Sequence, residues 1–260
     1  MPAFLLDTLA ATVPWPAQTL ALIALAVLFS AILRGFTGFG FAIASAPLLT
    51  LFMTPAHAVP IIICLQLFAG LTEFKALSGV AHWPSVRRLI TGALIGTPLG
   101  TAALYAVPPD PARICIALLA GFAVVMIASG LRFPRMPGRP ATVGIGLTAG
   151  LANGLAAMPG PPVVAFYMAL HFSPDMVRAS LIVFFTMCSA LALAGAALFD
   201  LIRWQDMVFS VVLMPLMWFG TWLGHELLKR SGGHWYRPVS IIVLALIALA
   251  AGWKGLSAYL

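Results

Sequence analysis

The chain has 260 residues, of which 62% are hydrophobic and only 8% are charged. With a mean hydropathy of +1.05, it has too little polar surface for a water-soluble globule, so we predict an all-α polytopic membrane protein. Each crossing takes about 20 residues, which leaves one integral membrane domain over residues 1–260 and no room for a soluble catalytic domain. The net charge of +7 comes from basic residues scattered over loops, which argues against a nucleic-acid partner.

The first predicted membrane segment, residues 20–53, is interrupted by Arg34-Gly35-Phe36-Thr37-Gly38-Phe39-Gly40. A guanidinium inside hydrocarbon is costly unless it faces protein, water or an anionic ligand, and glycines let the backbone unwind and approach that ligand. The run therefore predicts an anion site, in which Arg34 supplies a forked donor and Thr37 a neutral one. The alternative is that the glycines permit close helix packing and that Arg34 reaches the interface.

Further apolar runs follow in chain order, separated by turn-forming residues. They cover residues 59–77, 89–107, 114–131, 143–155, 161–170, 181–199, 207–228 and 239–253. Each cysteine lies alone inside such a run, which predicts neither a disulfide nor a metal site. The three are Cys64, Cys115 and Cys188.

The second half of the chain repeats the first, since Gly96-Thr97-Pro98-Leu99-Gly100 matches Gly220-Thr221-Trp222-Leu223-Gly224. The predicted repeats cover about residues 18–132 and 141–257. The first break then corresponds to Asn153-Gly154 through Gly160-Pro161-Pro162, where Asn153 adds a neutral donor and the prolines open a half-helix. Each half is predicted to be a broken segment followed by three transmembrane helices, about 8 to 10 membrane segments in all.

The basic residues predict that the two halves are inverted. They form three clusters, which are Lys75, Arg87 and Arg88, then Arg132, Arg135 and Arg139, and finally Lys229, Arg230 and Arg237. The positive-inside rule requires all three clusters to be cytoplasmic. They lie on the same side only if each broken segment crosses the membrane an even number of times. Each half then has an odd number of crossings, both termini lie outside, and the arrangement is that of many secondary transporters.

Other polar residues carry weaker expectations. Glu73 and Glu226 are expected to anchor helix ends at the interface, with proton coupling as the alternative for Glu73. Gln66 lies deeper and predicts an interhelical hydrogen bond, while Arg178 predicts an ion pair with Asp175. A seam of close helix packing is predicted by three glycines at four-residue spacing, Gly92, Gly96 and Gly100.

These segments resemble the TauE/SafE sulfite exporter family of permeases. The resemblance is carried by Arg34 to Phe41 followed by Ser45-Ala46-Pro47-Leu48-Leu49, and by Gly150 to Pro162 followed by Val177-Arg178-Ala179-Ser180. It spans nearly the whole chain and implies transport of small sulfur anions such as sulfite, sulfoacetate or related sulfonates. The chain departs from the family pattern at Ala156-Ala157-Met158-Pro159, where members often place a glycine.

We therefore predict a secondary transporter of the bacterial inner membrane that exports a small sulfur-containing anion by alternating access. Its expected partners are the anionic substrate and the lipid bilayer, it needs no cofactor, and homo-oligomerisation is left open. No Walker pattern occurs in the loops, so the energy is expected to come from an ion gradient or from the substrate's own gradient.

Four alternatives are considered: two are permeases for another substrate, and two belong to different function classes. A permease for a small carboxylate or other anion would use the same site, and an anion channel would use the same charges. A divalent-metal permease is disfavoured because no carboxylate or histidine pair falls inside a helix. A membrane-embedded hydrolase is disfavoured because His57, His171 and the serines show no partnered spacing.

Overall fold

The computed structural model describes residues 15–37, 40–129 and 137–230, together with six residues between 245 and 256. In this part of the chain the secondary structure is helical. The helices are α1 (Ala17–Thr37), α2 (Phe41–Thr50), α3 (Pro55–Leu77), α4 (Trp83–Ala106), α5 (Pro109–Ser129), α6 (Arg139–Ala156), α7 (Gly160–Met168), α8 (Pro174–Leu198) and α9 (Trp204–Arg230). Most of the predicted last run, residues 239–253, lies outside the described residues.

Six helices of the described chain, α1, α3, α4, α5, α8 and α9, are long and apolar enough to cross a membrane. The protein is therefore a multi-pass membrane protein, as its composition predicts. The apolar α2 has 10 residues and α7 has 9, which is too short for either to cross alone. The predicted total of 8 to 10 membrane segments stays a prediction.

Each predicted broken segment consists of a long helix followed by a short one. In the first half α1 is followed by α2, and in the second half α6 is followed by α7. Both short helices begin at the predicted breaks, because Gly40 precedes α2 and Gly160 opens α7. Proline at the start of α7 is compatible with a helix because the first N–H groups have no partner inside the helix.

The two parallel helices α4 and α6 cross in close backbone contact. A Cβ added to Gly92, Gly96 or Gly100 of α4 would lie 2.0–2.2 Å from carbonyl oxygens of Val143, Leu147 or Leu151 of α6. Reciprocally, a Cβ at Gly146 would lie 2.0 Å from the Leu89 carbonyl oxygen. The predicted seam of small residues is thus confirmed, since glycine allows two helix backbones to approach this closely.

The helices α1 and α9 make a matching contact, and they also run parallel. A Cβ at Gly35 would lie 2.3 Å from the carbonyl oxygen of Thr221, and a Cβ at Gly154 would lie 2.2 Å from that of Thr97. Thr97 and Thr221 occupy the same place in the two repeated sequence segments. Both glycines therefore lie in equivalent positions of two similar helix crossings.

Contacts between helix ends define two faces of the bundle. The basic face contains the ends of α1, α3 and α9 and the starts of α4, α6 and α8, and it carries Lys75, Arg87, Arg88, Arg139, Arg178 and Lys229. The opposite face contains the starts of α1, α3, α5 and α9 and the ends of α2, α4 and α8. The basic clusters of the described chain thus share one face, where the loop from α5 to α6 also ends at Arg139.

The α4–α6 crossing gives a direct stability test. We expect Gly146→Ala to lower the melting temperature of the purified protein by several degrees, because its Cβ would meet backbone atoms of α4, and such overpacking costs about 1–3 kcal/mol. Gly144→Ala is the matched control, since nothing lies within 4 Å of a Cβ there. It should be neutral or slightly stabilising because alanine favours the helix. Equal melting temperatures for the two variants would contradict this packing.

Candidate functional site

The two helix breaks open on a single small cavity. Its volume is about 40 Å³, enough for a few water molecules. Its wall comes from the end of α1, the start of α2, the middle of α3, the segment before α7 and the middle of α8. The lining residues are Arg34, Gly40, Phe41, Ala42, Ile43, Gln66, Gly70, Met158, Pro159, Gly160, Ile182, Phe185 and Thr186.

The start of α2 gives the cavity an electropositive wall. Gly40 takes the left-handed conformation, with φ of 97°, and no side chain caps the helix that follows. The first turn of a helix has N–H groups without acceptors inside the helix, and its dipole places about half a positive charge there. Since Phe41, Ala42 and Ile43 line the cavity, this helix end is suited to an anion.

The start of α7 also faces the cavity and has no side-chain cap, but it offers fewer donors. Pro161 and Pro162 have no N–H group, which leaves Gly160 and Val163 as the donors of the first turn. The dipole of α7 still adds positive potential at Gly160. We conclude that α2 presents the stronger hydrogen-bonding end and α7 the weaker one.

The segment between α6 and α7 is held by a strained residue and by a hydrogen bond from α3. Ala157 has φ of 56°, in the left-handed region that disfavours residues with a Cβ. Its N–H donates to the Asn153 carbonyl, and the Met158 N–H donates to the Ala152 carbonyl, which closes the end of α6. Glycine would suit this conformation better because it has no Cβ.

Gln66 fixes the same segment from α3, since its Nε2 donates to the Ala157 carbonyl at 3.0 Å. Gln66 thus makes a long-range hydrogen bond, as predicted, but its acceptor lies just after the end of α6 and not within a helix. The same side chain also lines the cavity. Gln66 thus connects the middle of α3 to the second break and holds the wall of the cavity in place.

Arg34 is the basic residue of the cavity wall and is only 9% exposed. Its Nη2 donates to Glu73 Oε1 at 3.2 Å. The other carboxylate oxygen of Glu73, Oε2, accepts from Arg178 Nη2, also at 3.2 Å. The predicted pairing of Arg178 with Asp175 is wrong, because in the described chain its salt bridge is with the distant Glu73.

The structure brings three of the predicted site residues together at the cavity, namely Arg34, Gly40 and Gly160. Gly35 and Gly154 instead lie in the two helix crossings. The buried Asn153 donates from Nδ2 to the Cys188 carbonyl at 2.8 Å, and so it ties α6 to α8.

The remaining predicted site residues lie away from the cavity wall or outside the described part. Pro161 and Pro162 form the first turn of α7 behind Gly160. Gly38, Phe39 and the side chain of Thr37 fall outside the described residues. The cavity also includes residues that the sequence did not single out, among them Thr186 and Phe185 of α8.

A second polar cluster at the opposite face was missed by the sequence reasoning. The carboxylate of the fully buried Asp206 lies 2.8 and 3.0 Å from His57 Nδ1, and Arg203 Nη1 lies 3.0 Å from His57 Nε2. With Arg203 donating to Nε2, neutral His57 carries its proton on Nδ1 and donates it to Asp206. This cluster joins the start of α3 to the start of α9, and its only sequence signal was a carboxylate just after Trp204.

One comparison with known proteins identifies the family of the chain. A family model described as Sulfite exporter TauE/SafE matches residues 22–251, which is nearly the whole chain. No curated protein and no solved structure matches the chain.

The strain at Ala157 predicts which replacements the second break tolerates. We expect Ala157→Gly to stay within about 1 kcal/mol of the parent, because relief of a left-handed alanine, about 1–2 kcal/mol, offsets the lost methyl burial, about 0.8 kcal/mol. Ala157→Val should lower the melting temperature by several degrees, since a β-branched side chain fits this conformation poorly. A valine variant as stable as the parent would show that the segment is not held in the left-handed conformation.

Proposed function

Because the chain belongs to the sulfite exporter TauE/SafE family, a family of membrane transporters for sulfite and other sulfur anions, we propose that it moves such an anion through the cavity between α2 and α7. It works as a secondary transporter, and we propose export across a bacterial inner membrane. The observation that carries this proposal is that both helix breaks open on one cavity with Arg34 in its wall.

The chemistry of the cavity favours a small anion as the ligand. Two helix N-termini point into it, and Arg34 adds a full positive charge with planar donors. Sulfite and sulfonate oxygens accept from such donors in the same way as phosphate oxygens do. We propose that Arg34, the N–H groups following Gly40 and the N–H group of Gly160 contact the anion. Phe185 and Ile182 supply an apolar wall.

The other predicted binding residues then act by positioning. Gly35 and Gly154 allow α1 and α6 to pack against α9 and α4, and Asn153 fixes α6 to α8. In this proposal Pro161 and Pro162 start α7 in the direction that points its N-terminus at the cavity. The exceptions are Thr37, Gly38 and Phe39, which follow Arg34 in the sequence and stay proposed contacts of the anion.

We propose that the halves are inverted repeats that exchange access between the two faces. Three features support inversion: α1 and α3 end at the basic face, α6 and α8 begin there, and the crossing at Gly35 matches that at Gly154. A cavity at the junction of two inverted halves suits alternating access by movement of one half against the other. Repeat boundaries near residues 18–132 and 141–257 remain part of this proposal.

A small carboxylate is the main alternative substrate, since its oxygens would satisfy the same donors. Thermal shift of the purified protein with sulfite, thiosulfate, sulfoacetate, taurine and lactate separates the two classes, because a ligand that binds the folded state raises the melting temperature. Saturable flux with counterflow in liposomes would distinguish the carrier from an anion channel. A rise in melting temperature with lactate alone would show that the substrate is a carboxylate and not a sulfur anion.

Arg34 is the residue whose change should be most informative. We expect Arg34→Ala to insert and fold but to lose anion binding by tenfold to a hundredfold or more, because a charged hydrogen bond contributes about 1.5–3 kcal/mol. Arg34→Lys should recover little, since an ammonium cannot reproduce the planar fork. Binding of sulfite and sulfoacetate is measured by thermal shift. A folded Arg34→Ala protein with parental affinity would show that Arg34 is not part of the anion site.

The orientation of the chain follows from the shared basic face and the positive-inside rule. Reporter tags before Leu20 and after Leu260 should both be periplasmic, and a tag near Arg135 should be cytoplasmic. The reason is that two inverted halves with equal odd numbers of crossings return the chain to its starting side. Termini on different sides of the membrane would rule out inverted halves.

A further inference from the structure

Three charged side chains lead from the cavity to the surface at the basic face. Arg34 donates to Glu73, and Glu73 accepts from Arg178, with both distances at 3.2 Å. The exposed fraction of the side chain rises along this series, from 11% for Arg34 to 30% for Glu73 and 54% for Arg178. A carboxylate therefore stands between the arginine of the cavity and the solvent.

The carboxylate presents to Arg34 the same chemistry as the anion that the cavity is proposed to bind. Its Oε1 accepts from Arg34 Nη2, as a sulfite or sulfonate oxygen would. Two negative charges beside one guanidinium repel each other, and in a partly buried setting this repulsion is poorly screened. Anion binding in the cavity therefore weakens the pairing of Glu73 with Arg34, and this pairing weakens anion binding.

Arg178 gives Glu73 an alternative partner. Because each carboxylate oxygen is bound by a different arginine, Glu73 can leave Arg34 and remain paired with Arg178 at the surface. The carboxylate is then never left without a positive partner, which would be costly at a partly buried position. The pairing with two arginines from different helices, α1 and α8, is what makes such an exchange possible.

We propose that Glu73 is a built-in competitor of the transported anion for Arg34. When the anion binds, Glu73 withdraws to Arg178, and when Glu73 returns to Arg34 it expels the anion. Competition of this kind raises the apparent Kd of the anion, because only the fraction of molecules in which Arg34 is free can bind it. It also speeds release of the anion. This inference rests on the proposed function, since it concerns the same cavity and the same arginine.

A purely structural role for Glu73 makes the opposite prediction. If Glu73 only held Arg34 in position, its loss would leave the guanidinium misplaced, and the anion would bind more weakly. If Glu73 competes, its loss leaves Arg34 to the anion, and binding becomes tighter. The sign of the change in affinity therefore decides between the two roles.

The test compares Glu73→Gln with Glu226→Gln in the full-length protein. Glu226 is a suitable control because it pairs with Lys229 at 3.7 Å, its side chain is 32% exposed, and it does not line the cavity. The Kd values for sulfite and for sulfoacetate are measured by thermal shift at constant pH and ionic strength. We expect Glu73→Gln to lower Kd about tenfold, as removal of a competing charged hydrogen bond implies, and Glu226→Gln to leave it unchanged.

Transport in liposomes supplies a second readout. Glu73→Gln should lower both KM and kcat for efflux, because the anion binds more tightly and is no longer expelled. An unchanged or raised Kd in Glu73→Gln, with normal binding by the parent, overturns the inference and leaves the proposed function standing. Absence of binding in the parent and in Glu73→Gln overturns both.

If Glu73→Gln does not fold, Glu73→Asp takes its place. Its carboxylate is one methylene shorter and retains the charge, so it loses reach towards Arg34, and Kd should still fall. A Kd equal to that of the parent, or higher, would overturn the inference in this variant as well.

Discussion

The backbone contacts between α4 and α6 and between α1 and α9 are the constraint on which the rest of the structure depends. They place the long helix of each broken segment against a helix of the other half, at glycines that admit no side chain. In a bilayer there is little hydrophobic gain in bringing two apolar helices together, so association depends on close packing and polar contacts. With α1 and α6 fixed in this way, the short helices α2 and α7 begin at one common cavity.

The second constraint is that a buried charge needs a partner, and α3 supplies such a partner near each of its ends. Near its end Glu73 compensates Arg34, and near its start His57 contacts the fully buried Asp206. A charge taken out of water is tolerated only with a partner and hydrogen bonds. These pairs also close the bundle at its two faces, since Glu73 joins α1 to α8 and His57 joins α3 to α9.

The two breaks have the same layout and different chemistry. The first has a glycine in the left-handed conformation, an arginine, and a helix start with all its N–H groups. The second has a strained alanine, a buried asparagine and two prolines without N–H groups. The positive charge and most of the donors therefore come from the first half of the chain. The second half contributes a wall whose shape is fixed by Ala157 and Gln66.

The sequence by itself determined the helical membrane class, the positions of the two breaks, the glycine seam and the placement of Arg34 at the first break. Each of these depends on composition, local spacing or a residue whose burial in a membrane is costly, and such properties can be read from neighbouring residues. The family resemblance rested on the same local segments, and the family match covers them.

Only the tertiary structure decided which break residues line the cavity and which pack helices. Gly40 and Gly160 face the cavity while Gly35 and Gly154 face other helices, a difference that local glycine content cannot show. It also decided the partners of the buried charges. Glu73 is 105 positions from Arg178, and His57 is 149 positions from Asp206. No periodicity within one helix links residues so far apart, because their contact is created by packing between the helices of different halves.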